Sequence, residues 1–273
     1  ENARGCGRLP PPSRLSVLLA NVRSVLNKLD SFNSIVDTCR PNVIALTETW
    51  LNNNIRNTEF FYDASRYTIY RCDRTLRQGG GVMLAVLNAH DSYQVAVETD
   101  IEIILSCVEV AHQKFIFAAC YRPPNAPPTF TASLHDVLNT VVTRLPSAPI
   151  FLLGDFNFPQ IMWSSESPMF NSSSSQVSDF LNLCSTFTLT QLVTQPTRIT
   201  DSTATVLDLV LTSRPDSVSC MTYLPGLSDH LILSFDISVP ALETRKTTKQ
   251  IRDYKKANFD AINTELSTFL DIF

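Results

Sequence analysis

Residues 149–160 read PIFLLGDFNFPQ. Ile150, Phe151, Leu152 and Leu153 are apolar without alternation, the pattern of a strand buried on both faces. The run then stops at Gly154 and delivers Asp155 and Asn157. Residues two apart share one face of an extended chain, so a carboxylate and a carboxamide stand side by side where a buried strand ends. A buried strand is a rigid mount, suited to polar groups whose position matters.

Working outward, Phe130, Leu134, Val137, Leu138, Val141, Val142 and Leu145 recur at helical spacing upstream of this strand, after the turn PPNAPP. Further back, LSVLLANV (15–22), the helical stripe of KLDSFNSIVDTC (Leu29, Phe32, Ile35, Val36, Cys39) and PNVIALTETW form a strand–helix–strand unit, which predicts parallel pairing. Between these blocks, YTIYRC, GGVMLAVL, YQVAVE, IEIILSCVEV and KFIFAACYR read as one antiparallel meander. Downstream, MFNSSSSQ (169–176) reads as a loop and Val177, Phe180, Leu181 and Cys184 as a short helix. TLTQLV, ATVLDLVLTS, SVSCMTYL and LILSFDI read as four further strands. The expected architecture is two sheets packed face to face with helices outside, in a single domain over 14–240. Residues 1–13 are expected to be disordered. Residues 241–273 read as a basic linker, with six Lys or Arg over 243–256, and a helix carrying Phe259, Ile262, Leu266, Phe269 and Leu270 that either leads towards something larger or docks as a C-terminal helix.

The composition is that of an ordinary globular chain, 44% hydrophobic and 18% charged over 273 residues. A formal net charge of −4 argues against holding nucleic acid through bulk positive charge, but not against meeting one phosphate at a metal. No apolar run approaches the ~20 residues that span a bilayer, and the N-terminus lacks the apolar core of a signal peptide. The missing initial Met suggests a fragment or a processed product. Seven scattered cysteines without a C-x-x-C pair favour a reducing compartment over disulfides or zinc.

Asp155 is not alone in its placement. Asn21 closes LSVLLAN, Glu48 closes VIALTE, Asp208 interrupts TVLDLVLTS, and Asp229-His230 precedes LILSF. A single carboxylate at a strand end is ordinarily the start of a loop; six such interruptions are harder to dismiss. Carboxylates, carboxamides and one imidazole, without thiolates, suit a hard cation such as Mg²⁺.

ANVRSVLNK, IALTETW, GGGVMLAV, ACYRPPN, LLGDFNFP, LDLVLTS and LSDHLILSFDI, in that order, resemble the endonuclease/exonuclease/phosphatase superfamily. More narrowly, they look like the apurinic-type endonuclease domain of non-LTR retrotransposons. The likeness spans roughly 14–240 and implies an α/β (α+β) four-layer sandwich of two mixed sheets. It implies that Glu48, with Asn21 beside it, binds Mg²⁺ (or Mn²⁺), and that Asp229 sits next to the ion. Asp155 would activate water, Asn157 would hold the phosphate or that water, and Tyr121 would contact the phosphate or its leaving group. His230, hydrogen-bonded to Asp208, would donate to a non-bridging oxygen. The implied reaction is nicking of duplex DNA to leave a 3′-hydroxyl that primes a downstream reverse transcriptase domain. Such a protein is made in the cytoplasm, acts in the nucleus, and is neither secreted nor membrane-bound.

Arg23, Arg71, Arg74, Arg77, Arg122 and Arg198 fall in or near predicted loops and are candidates for phosphate contacts, which give position rather than sequence. TQPTRITDSTATVLD (194–208) would form a groove-entering hairpin in this family, with Thr197, Arg198 and Thr205 the residues to test. GGGV (79–82) reads as a tight turn into a strand, and Trp50 and Trp163 as packing anchors. Two rival functions remain: a phosphatase or sphingomyelinase of the same superfamily, and a non-catalytic nucleic-acid-binding remnant.

Overall fold

A computed structural model describes residues 13–63, 65–74, 78–163, 168–170, 174–240 and 254–270. The chain divides into two compact units, Glu1–Leu242 and Glu243–Phe273. In the larger unit, β1 (Ser13–Asn21), α1 (Leu29–Cys39) and β2 (Val43–Thr47) form the expected unit, with β1 and β2 parallel. Next come β3 (Tyr67–Cys72), β4 (Val82–Leu87), β5 (Asp91–Gln94), β6 (Glu102–Val110) and β7 (Gln113–Tyr121). The amphipathic α2 (Phe130–Arg144) crosses over to β8 (Ile150–Asp155), which pairs parallel with β7. A small hairpin of β9 (Ile161–Met162) and β10 (Met169–Phe170) precedes α3 (Ser175–Thr186). The chain continues through β11 (Thr190–Gln191), the hairpin β12 (Arg198–Ile199) and β13 (Ala204–Thr205), β14 (Asp208–Thr212), β15 (Val218–Leu224) and β16 (Ile232–Val239).

Two six-stranded mixed sheets result, ordered β15-β16-β1-β2-β4-β3 and β11-β14-β8-β7-β6-β5. Their inner faces share a core that includes Leu19, Ala45, Leu84 and Leu233 of the first sheet and Phe117, Phe151, Leu153 and Val210 of the second. Phe32 and Val36 of α1 cover the outer face of the first sheet, beside Leu18 and Ile44. Leu134, Leu138, Phe180 and Leu183 of α2 and α3 cover that of the second. The uninterrupted apolar runs are explained by this layering, since central strands of both sheets face a core on each side.

Several expectations are corrected. The meander is broken after β4: β3 and β4 pair with each other in the first sheet, while β5, β6 and β7 belong to the second. Alternation cannot reveal this, because a strand continues equally well into either of two facing sheets. YQVAVE is strand only to Gln94, TLTQLV only at Thr190–Gln191, and Met169–Phe170 pairs as a strand where a loop was expected. Asp208 opens β14 rather than interrupting it. Of the segment expected to be disordered, Ser13 opens β1 and the rest lies outside the described residues, as do Arg77 and most of the basic run. The smaller unit contains α4 (Phe259–Leu270), with Phe259, Ile262, Leu266 and Phe269 exposed at helical spacing. No helix among the described residues is long and apolar enough to cross a membrane.

One consequence of the topology positions the site. The parallel strands β1, β2, β7 and β8 end in Asn21, Thr47, Tyr121 and Asp155, and their antiparallel neighbours begin at the same end, β14 at Asp208 and β16 just after His230. In open α/β sheets the carboxyl ends of parallel strands are where ligands bind.

Candidate active site

Asp155 and Asp208 are register partners across β8 and β14, and both are buried. Asp208 Oδ2 lies 2.7 Å from His230 Nδ1, and that ring is 4% exposed. Asp155, Asp208 and His230 offer ligand atoms within 4.8 Å of one another. From the opposite sheet, Asn21 Nδ2 donates to Asp155 Oδ2 at 2.9 Å, while the Asn157 N–H donates to Asp155 Oδ1 at 3.1 Å. Burial, then the neighbouring Asp208, pushes the Asp155 carboxyl up to about 8, against the pull of His230 and the two amide donors. Burial alone would lower the His230 value, but Asp208 beside it holds the imidazole above its ordinary range, favouring the cation.

Tyr121 connects this group to Glu48. Its phenol hydrogen-bonds the Glu48 carboxylate, and burial together with that carboxylate keeps it protonated far above the usual tyrosine range. Glu48 also accepts the Trp50 indole N–H. Arg23, Ser24, Glu48, Trp50 and Asn157 all have left-handed φ, at 39°, 75°, 56°, 57° and 47°. Such conformations are costly for non-glycine residues and concentrate at functional sites. Backbone bonds lace these loops together: Ser24 N–H to Glu48 O at 2.8 Å, and Trp50 N–H to Gly80 O at 2.9 Å.

Five expected residues therefore meet directly or through one neighbour: Asn21, Tyr121, Asp155, Asp208 and His230, with Glu48 joined through Tyr121. Asn157 braces the group; its Nδ2 donates to Arg122 O at 2.7 Å. Two expectations are corrected. Arg122 is 5% exposed, its guanidinium stacked 4.0 Å from the Phe158 ring centroid and donating to Asn157 O at 3.0 Å and Gln176 at 2.6 Å. It anchors the loop after β8 and has no face for a phosphate. Thr197 is fully buried, and its Oγ1 accepts the N–H groups of Leu207 at 3.1 Å and Asp208 at 3.0 Å, while its carbonyl accepts from Leu231 at 2.6 Å. It positions Asp208 and His230. Asp229 stands beside the group with Oδ1 accepting from Arg23 Nη1 and Oδ2 from Arg198 Nε, each at 2.8 Å. Thr205 pairs with Arg198 across the hairpin and joins the site through Thr197, whose N–H it accepts at 2.9 Å. Arg71, bound to Asn52 O, Ile55 O, Asn57 and Asp73, clamps the 52–57 loop.

Thr197→Val, which keeps the shape but removes the acceptor, leaves two buried N–H groups unpaired. We expect a loss of about 1–3 kcal/mol per orphan in thermal or urea unfolding, with Thr197→Ser restoring most of it.

Residues the sequence did not single out also belong here. Ser228 Oγ donates to Asn21 O at 2.7 Å and accepts the His230 N–H at 3.2 Å, tying together the two residues that the first sheet contributes. Glu102, opposite Tyr121 in register, binds Arg74 Nε at 2.6 Å and the Gly81 N–H at 2.6 Å, while Arg74 lies over the Tyr121 ring. The GGG turn makes room for this pair, since a Cβ on Gly80 (φ 71°) would sit 2.3 Å from Arg74. Glu102, a carboxylate opening an apolar strand run, carried the same sign as Asp208.

Asp155, Asp208 and His230 form a buried donor set, and Asp208 Oδ1 has no hydrogen-bond partner among the described residues. This oxygen-rich donor set fits a hard divalent cation.

A sequence-family model described as Endonuclease-reverse transcriptase matches residues 115–234. No curated protein sequence matches the chain. Among solved structures, the endonuclease domain of TRAS1, a telomere-specific non-LTR retrotransposon, is similar at 16% identity and TM-score 0.62, over 84% of this chain and 99% of that one. The AP endonuclease LMAP from Leishmania major is similar at 13% identity and TM-score 0.66, over 83% and 88%. The 3′ phosphatase NExo from Neisseria, bound to a product DNA hairpin, is similar at 14% identity and TM-score 0.58, over 82% and 99%. At these identities the likeness is one of fold.

Proposed function

We propose that this chain, a member of the endonuclease/exonuclease/phosphatase superfamily, is a Mg²⁺-dependent endonuclease that nicks duplex DNA and leaves a 3′-hydroxyl. The observation that carries the reading is the buried Asp208–His230 pair at 2.7 Å facing an Asp155 that Asn21 holds from the other sheet. Asp155 accepts the proton of the attacking water, and a raised proton affinity suits that task near neutral pH. The His230 cation, oriented by Asp208 through Nδ1, presents its other ring N–H to a non-bridging phosphate oxygen, where charge grows as the nucleophile arrives. Asn157 steadies Asp155, and the protonated Tyr121 phenol faces the phosphate or its leaving oxygen. Glu48 and Asn21 would hold the Mg²⁺, or Mn²⁺ in its place. A divalent ion so bound neutralises charge on the phosphate and on the departing oxygen. Water attacks in line, the P–O3′ bond breaks, and the products are a 5′-phosphate and a 3′-hydroxyl.

The family description and the likeness to a retrotransposon endonuclease support a narrower reading, in which the 3′-hydroxyl primes reverse transcription by a domain of the same protein. The deciding assay incubates the protein with supercoiled plasmid and Mg²⁺, with and without EDTA, and in parallel with sphingomyelin and an inositol phosphate. Relaxed circles that form only with free metal, and whose nicks a polymerase can extend, are expected. Turnover of a small phosphoester with the plasmid left supercoiled overturns the assignment.

A further inference from the structure

We infer that Glu102 is a positioning residue that fixes both partners of the Tyr121–Glu48 hydrogen bond, one through Arg74 and the other through the glycine turn at 79–81. The inference rests on the proposed roles of Tyr121 and Glu48 in phosphodiester cleavage.

Glu102 opens β6 in the second sheet, and its carboxylate is shared between two segments that border the first. Oε1 accepts from Arg74 Nε at 2.6 Å, just after β3. Oε2 accepts the Gly81 N–H at 2.6 Å, where the turn enters β4. The Glu102 and Arg74 side chains are only 18% and 14% exposed. A mostly buried ion pair gains little over an apolar pair once desolvation is counted, so stability alone does not account for a carboxylate at the start of an apolar strand.

Each oxygen leads to one partner of the hydrogen bond. Through Oε1, the Arg74 guanidinium is held 5.6 Å from the Tyr121 ring centroid, and Tyr121 is itself the register partner of Glu102. A cation over the face of an aromatic ring attracts it, so the ring cannot tilt away without losing that contact. The phenol at its far end therefore keeps its aim at the Glu48 carboxylate. Through Oε2, the turn is fixed, and its carbonyls fix the chain beside Glu48. Gly80 O accepts the Trp50 N–H at 2.9 Å and Gly81 O the Thr49 N–H at 3.2 Å. These bonds hold Glu48 and Trp50 in left-handed conformations, at φ of 56° and 57°, and the Trp50 indole donates to the Glu48 carboxylate. Donor and acceptor are thus set by one side chain that touches neither.

Trp50 and Trp163 are the two tryptophans of the chain, so in a Trp163→Phe background indole fluorescence reports Trp50 alone. The test reads its emission and acrylamide quenching in EDTA, and plasmid-nicking kinetics in Mg²⁺. Glu102→Ala should shift Trp50 emission to longer wavelength and make it easier to quench. The same variant should lower kcat about ten- to a hundredfold with KM within about twofold of wild type. Glu102→Gln still accepts the Gly81 N–H but presents no anion to Arg74, and it serves where the alanine variant does not fold. It should keep the wild-type emission yet lose about tenfold in kcat, and in a Tyr121→Phe background that loss should shrink below about twofold. Unmoved Trp50 emission in a folded Glu102→Ala variant sinks the inference. An equal loss from Glu102→Gln with and without the Tyr121 phenol sinks it too. Both results leave a nicking wild type, and hence the proposed function, intact, whereas a wild type that nicks no plasmid overturns the two together.

Discussion

Asp155→Ala and His230→Ala should each reduce plasmid nicking at least about a hundredfold, with the fold retained. Asp155 is the point where both halves of the protein meet: β8 presents it, Asn21 of the other sheet donates to Oδ2, and Asn157 donates to Oδ1. Alanine removes the proton acceptor and leaves Asn21 Nδ2 unpaired. At His230 the proposed loss is a cation aimed at developing phosphate charge, and it strands Asp208, whose Oδ1 already has no partner among the described residues. Because the two side chains act in one step, the double variant should be little worse than either single one. Relaxed-circle formation, alongside circular dichroism and unfolding midpoints to establish folding, checks this. Near-wild-type nicking by either single variant would remove the assigned chemistry.

Gly154→Ala should strongly destabilise the larger unit. Gly154 has φ of 146°, and a Cβ there would lie 1.8 Å from the Cys120 carbonyl oxygen. Gly154 and Cys120 are register partners in the parallel β7–β8 pair, where backbone cannot move aside without breaking the central ladder. Overpacking and left-handed strain together cost on the order of 3–5 kcal/mol, or a fall in Tm of about 10 °C for a domain of this size. Activity should fall with it, since Asp155 follows directly. An unfolding midpoint within about 2 °C of wild type would show that β7 and β8 do not approach this closely.

Much of the fold was legible because its signals are local. The βαβ opening, the two amphipathic helices and the long apolar strands each carry their period in adjacent residues. The division of the meander between two sheets was not, since β4 and β6 are both apolar and consecutive, and which sheet a strand joins depends on partners far along the chain. The site divides in the same way. Asn21, Asp155 and Asp208 stand at the ends or start of apolar runs, and Glu48 and His230 stand one or two residues beyond one, so a polar residue at such a boundary marked them, whereas Tyr121 was marked by the resemblance alone. Thr197 and Arg122 were misassigned because residue type and loop position do not report burial. A threonine and an arginine near the motifs look equally suited to a phosphate whether their polar atoms face solvent or are already bonded inside.

What the sequence determined by itself was the set of polar groups mounted at strand ends and the rigidity of those mounts, because both follow from hydrophobic period and strand boundaries. The tertiary structure decided which of those groups touch. Asn21 and Asp155 lie 134 residues apart, and only the packing of one sheet upon the other brings a carboxamide of the first within hydrogen-bonding distance of a carboxylate of the second.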